Sequence, residues 1–254
     1  MNLGSILFFY IILFIPVPLL ASNYYVDPSS TTTIKNGTIN NPWTSITQVN
    51  SGTVNLLPGD SVLFKKNQYY FGRLNINNSG IINNPIVYAT YGEGEIPVFS
   101  YSTSNVITIY SKQFIIIDGF KIIDSTMDLN DHSILSKISY GIVVDNSPNI
   151  TIRNCEITLV GIGIEITKGS NNTLVENNFI HNLRMIRNTP VTINPDDDYG
   201  ASTMVIGSTD NKILNNRLED AWAYSYDYVF DGGAIDFFGT NMSNNVIMYN
   251  TIKN

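Results

Sequence analysis

Carboxylates gather toward the C-terminal part of this 254-residue chain. Asp196-Asp197-Asp198 stand together before Tyr199, and Asp227, Asp231 and Asp236 follow. Clustered carboxylate oxygens suit a hard cation such as Ca2+. Asp196, Asp197, Asp198, Asp227 and Asp231 are the candidate ligands. Paired carboxyls also do general acid–base work, and Asp236, Asp231 and Glu165 are the candidates for it. Arg184 and Arg187 lie in the same stretch and could neutralise an anionic group or serve as a base. Lys137, His132 and His181 are weaker basic candidates. Tyr199, Trp222 and Tyr226 offer flat rings for stacking on a ligand.

The elements that must position these residues are written as a repeat. "NITIRNCEI" (149–157) and "NTLVENNFI" (172–180) both place an Asn five residues after another Asn. The spacing recurs as Gln113–Asp118, Asn149–Asn154, Asn172–Asn177, Asn211–Asn216 and Asn245–Asn250. A β-branched segment fills each interval, a short strand follows it, and a further strand precedes the last four copies. Three short strands per repeat joined by polar turns read as one coil of a parallel solenoid. The turn Asn tolerates a left-handed backbone, so Asn154, Asn177, Asn216 and Asn250, with Asp118, are expected to stack as an internal ladder.

The step from Asn154 to Asn177 is 23 residues, near the minimum for one coil. The other steps are longer and hold insertions at about 125–139, 183–201 and 220–232, always before the next first strand. Coils stack at ~4.8 Å, so insertions at one corner pile along one side, where repeat folds carry their binding function. In the first strands Ile142/Val144, Ile164/Ile166, Met204/Ile206 and Ile235/Phe237 are expected to point inward. The outward column is then Val143, Glu165, Val205 and Asp236. Its two carboxylates stand two coils apart, roughly 10 Å at the strand spacing.

Composition supports the all-β reading. Charged residues are 14% of the chain, and β-branched and aromatic types favour a pleated surface. A net charge of -7 argues against nucleic acid as a partner. The single cysteine, Cys155, excludes an intrachain disulfide and reads as a small core residue. The apolar run Ile6–Leu20, followed by Ala21 and Ser22, reads as a secretory signal over residues 1–22, with an N-terminal membrane anchor as the alternative. Residues 23–100 are expected to form an N-terminal cap and the first coils, and 101–254 the remaining coils. The coils stop at Asn254 without a capping segment, so a continuation beyond it is expected.

The coils resemble the right-handed parallel β-helix proteins of the pectate-lyase-like superfamily. "YYVDPSS" (24–30), "NGTINNPWTSITQVN" (36–50), "LLPGDSVLFKKNQYYFGRL" (56–74) and "NPIVYATYGEGEIPVFS" (84–100) are similar to the N-terminal segment of secreted β-helix polysaccharide lyases and related glycosidases. The resemblance implies that Asn41-Pro42-Trp43 leads into a short capping helix and that Pro58-Gly59-Asp60 turns into the first strand. It implies a right-handed β-helix with long loops on one side, a substrate cleft along the first strands, and a monomer acting on a polysaccharide. The Gly-His-Gly and Arg-x-Lys signatures of pectin hydrolases are missing. The leading expectation is calcium-assisted β-elimination on a uronate-containing polysaccharide. The alternatives are a glycoside hydrolase using paired carboxylates and a non-catalytic glycan-binding surface protein.

Overall fold

The computed structural model describes residues 20–130, 135–137, 139–240 and 242–253. Most of the apolar run Ile6–Leu20, and His132, lie outside the described residues. No helix among the described residues is long and apolar enough to cross a membrane.

Three parallel sheets form the faces of a solenoid, as the three-strand repeat requires. The first face stacks, in order along the axis, Leu74–Ile76, Ile107–Tyr110, Tyr140–Asp145, Ile162–Ile166, Ser202–Ile206 and Gly233–Phe237. The second runs from Asn23–Val26 through Ile150–Arg153 to Val246–Met248. The third runs from Tyr69–Phe71 through Glu156–Thr158 to Thr251–Lys253. Each coil visits the faces in the same order, so every strand pairs with the strand one coil away and non-local pairing follows directly from the repeat.

Period-two alternation puts Ile142, Ile164 and Met204 in one buried stack and Val144, Ile166 and Ile206 in the next. Ile235 packs against that core. Phe237, expected inward, is 44% exposed, because no strand among the described residues pairs beyond Gly233–Phe237. Large rings fill the early coils, where Phe64, Tyr70, Phe99 and Phe120 meet with centroids 4.5–5.4 Å apart.

The N-terminal segment follows the resemblance. Trp43 bridges to Val26, and the helix Ile46–Asn50 follows with Ser45 as its N-cap. The Asn50 side chain then behaves as a missing strand. Its Oδ1 accepts from the Asn75 N–H (2.9 Å) and its Nδ2 donates to the Arg73 carbonyl (2.7 Å), covering the open edge of the first face. Pro58-Gly59-Asp60 turns into Ser61–Lys65, which pairs with the earlier strand Asn23–Val26 rather than opening the sheet.

The Asn ladder exists but in a corrected register. Gly119, Asn154, Asn177, Asn215 and Tyr249 hold the left-handed turn. The residues just after them, Phe120, Cys155, Asn178, Asn216 and Asn250, form the inward column. Asn178 Nδ2 donates to Asn216 Oδ1 (3.0 Å) and Asn216 Nδ2 to Asn250 Oδ1 (3.0 Å). Asn154 and Asp118 are outside it, joined to each other on the surface at 2.7 Å. A second rung sits at the preceding turn, where Asn211 donates to Asn245 Oδ1 (2.9 Å).

The insertions pile on one side. Leu135–Ser136, Met185–Asn188 and Tyr199–Gly200 join the first two in a small antiparallel sheet. The third folds back as the hairpin Ala223–Ser225 and Val229–Asp231, held to the second through Asn188, whose Nδ2 donates to the Tyr224 carbonyl (2.9 Å).

Candidate active-site cleft

The outward column of the first face is as the alternation requires. Val143, Glu165, Val205 and Asp236 are paired in register across successive coils. Between this column and the insertions opens a cleft of about 530 Å³. Glu165, Asp198, Tyr199, Ser202, Asp231 and Asp236 line it. Two carboxyls, Glu165 and Asp236, come from first-face strands and two, Asp198 and Asp231, from insertions.

Asp236 leans along its own strand toward the insertions. Its Oδ2 accepts from the Ser202 hydroxyl of the preceding coil. Its carboxylate fills the space over Gly233, where a Cβ would lie 2.2 Å from Oδ1. No group among the described residues donates a hydrogen bond to Glu165, and burial pushes its carboxyl above the usual carboxylate range, with nearby Asp145 adding to the rise. Above it, the Tyr140 and Tyr199 hydroxyls meet at 2.6 Å, linking the first face to the second insertion. Burial raises both phenols, so they remain neutral donors.

The expected metal set divides. Asp197, Asp198 and Asp227 bring one carboxylate oxygen each within 4.8 Å of one another. Asp227 Oδ2 accepts from the Asp197 and Asp198 N–H groups (2.9 and 3.1 Å), while Asp227 Oδ1 is buried without a hydrogen-bond partner among the described residues. Asp198 accepts from Thr189 N–H and the Ser225 hydroxyl. Asp196 turns outward to the Tyr228 hydroxyl. Asp231 lies in the cleft, with one oxygen on the Gly232 N–H (2.7 Å).

The expected cations stand elsewhere. Arg184 is buried, its Nη1 donating to the Asp128 carbonyl (2.8 Å), and it does not line the cleft. Arg187 is 48% exposed and pairs with Asp197 at 3.5 Å. The Thr189 hydroxyl, more than Arg187, holds the Asp197 carboxyl low. Lys137 pairs with the fully buried Asp124 at 2.7 Å. His181 stacks on Phe179 on the third face. Among the ring candidates, Tyr199 lines the cleft, Trp222 packs on Phe230 at 4.5 Å, and Tyr226 meets Tyr224 edge-on at 5.2 Å. Ser202 and Tyr140 were not legible as site residues. Only the pairing of Ser202 with Gly233 and the reach of the second insertion bring them in.

A family model described as the right-handed beta helix region matches residues 115–254. The chain belongs to that family. No curated protein matches this β-helix chain in sequence. Among solved structures, pectate lyase Pel9A aligns with a TM-score of 0.58 at 17% identity, covering 79% of this chain and 48% of that one. The GH136 lacto-N-biosidase from Eubacterium ramulus aligns with a TM-score of 0.50 at 14% identity, covering 91% and 56%. The β-helix chain thus spans about half the length of the solved structures it matches. At these identities the likeness establishes the fold and nothing finer.

Proposed function

We propose that this is a secreted, carbohydrate-active β-helix protein that binds a polysaccharide along the first face and cleaves its glycosidic bonds. The observation that carries the reading is the convergence of Glu165 and Asp236 on one cleft, in environments that separate their roles. Glu165 is desolvated and disposed to keep its proton, which suits a general acid that delivers it to the leaving glycosidic oxygen. Asp236, held by Ser202, suits the carboxylate that takes a proton from the attacking water. The water oxygen bonds to the anomeric carbon as the carbon–oxygen bond to the leaving sugar breaks. Two coils separate their strands, roughly 10 Å, at the outer edge of the spacing that admits that water in inverting hydrolysis.

A second reading, calcium-assisted β-elimination on a uronate chain, is favoured by Asp197, Asp198 and Asp227. Their oxygen donors and the unpartnered Asp227 Oδ1 fit a hard cation. A bound Ca2+ would supply neutralisation of a substrate carboxylate. Among the described residues no Lys or Arg lines the chamber that holds both Glu165 and Asp236, so hydrolysis leads.

One assay separates the two. The protein is incubated with polygalacturonate, alginate and lacto-series glycans, with and without a chelator. Hydrolysis releases reducing ends without ultraviolet absorbance from an unsaturated sugar, and the chelator has no effect. An unsaturated product that disappears with the chelator would replace hydrolysis by elimination. Release of neither product would leave a glycan-binding protein.

A further inference from the structure

The cleft continues past Glu165. On the side away from the insertions a second chamber of about 350 Å³ opens over the C-terminal ends of the same strands. Glu165, Val205 and Phe238 line both chambers, so the two meet at the proposed acid. Phe238 is the shared wall. Its N–H donates to the Ile206 carbonyl (3.1 Å), which fixes its backbone, yet the residue is 80% exposed. An exposed ring on a fixed backbone at the junction of two cavities is an apolar platform that no ring among the described residues covers.

The rest of the chamber suits a small polar ring. Its floor is backbone at Gly207, where a Cβ would lie 3.0 Å from the Phe238 carbonyl oxygen and 3.3 Å from that of Ile166. Any larger residue there would crowd the floor. Thr167, Lys168 and Thr240 complete its lining, with the Thr167 hydroxyl donating to Asp145 Oδ1 (2.5 Å). A pyranose presents one apolar carbon–hydrogen face edged by hydroxyls. One aromatic plate, a flat floor and a few convergent polar groups are the complement of that shape.

We propose that this second chamber is a sugar-binding subsite with Phe238 as its stacking platform. The protein therefore grips glycan residues on both sides of Glu165. The inference rests on the reading of the cleft as a glycan site and adds that recognition extends beyond the larger chamber. A disaccharide can fill the larger chamber alone, whereas a longer oligomer must also cross Phe238.

Binding is measured by calorimetry in an Asp236→Asn background, so that turnover does not consume the probe. The probes are a disaccharide and a hexasaccharide of galacturonate, and lacto-N-biose and lacto-N-tetraose. Phe238→Ala is expected to weaken the longer member of the bound series about tenfold and leave the shorter one unchanged. Phe238→Tyr should restore the difference. Equal loss at both lengths, no loss at either, or no binding of any probe by the parent would overturn the subsite. Length-dependent binding without cleavage by the unmutated protein would overturn the catalytic reading and leave the subsite standing.

Discussion

At the scale of the residue, the cleft depends on one carboxyl placed where its charge is disfavoured. Glu165 projects outward from a strand whose neighbours are apolar, and both burial and Asp145 raise its pKa. The folded state therefore binds its proton more tightly than the unfolded chain. Between the unfolded and the raised folded pKa the folded state carries more protons, so stability falls as pH rises through that window. Glu165→Gln removes this penalty. Thermal melts should show the variant gaining on the parent at neutral pH and losing that advantage in acid. The same variant should lower turnover by at least ~100-fold, and the parent's activity should fall as pH rises through the Glu165 titration. A melt advantage that persists unchanged in acid would mean that Glu165 is not desolvated. Cys155 gives a contrasting case. Full burial pushes its thiol up to about 12, so a maleimide should label it only after unfolding.

At the scale of the element, the turn between second and third faces separates two roles that adjacent asparagines share. Asn177 supplies a left-handed backbone, and Asn178 next to it supplies the buried amide. Asn177→Gly keeps the backbone accessible and should shift denaturant stability by about 0.5 kcal/mol or less. Asn216 is different, because it accepts from Asn178 and donates to the Val175 carbonyl and Asn250. Asn216→Ala leaves several buried groups unpaired and should cost about 3 kcal/mol by chemical denaturation. The pairing of roles explains what could be read beforehand. The three-strand coil follows from the repeated Asn spacing, and the outward column from period-two alternation, which any strand buried on one side must show. The expected ladder mixes two columns: Asn216 and Asn250 lie inward, whereas Asn154 and Asn177 hold the turn one residue before Cys155 and Asn178, and Asp118 stands two residues before Phe120. The insertions carry no period. Arg184 therefore resembled a cleft cation, and only tertiary contact with Asp128 reveals it as buried support. Likewise Tyr140 meets Tyr199 across 59 residues of chain, a contact no local pattern encodes.

At the scale of the whole molecule, the decisive quantity is charge. The chain carries -7 overall, and the larger chamber of the cleft is lined by Glu165, Asp198, Asp231 and Asp236, with Lys168 the one cation among the described residues lining the second chamber. A polyanionic glycan approaching this face meets repulsion from both the molecule and the site. Salt screens it, shortening the Debye length from about 30 Å at 0.01 M to about 8 Å at physiological ionic strength. With polygalacturonate, kcat/KM should therefore rise several-fold over that range, while a neutral lacto-series glycan should be insensitive. Calcium distinguishes screening from specific binding. If Asp197, Asp198 and Asp227 hold the ion, calcium chloride should accelerate the polyanion more than sodium chloride at equal ionic strength, and Asp227→Asn should remove only that excess. A polyanion rate that falls with salt would mean that attraction governs the encounter. The acid-lined face would then not be where the substrate arrives.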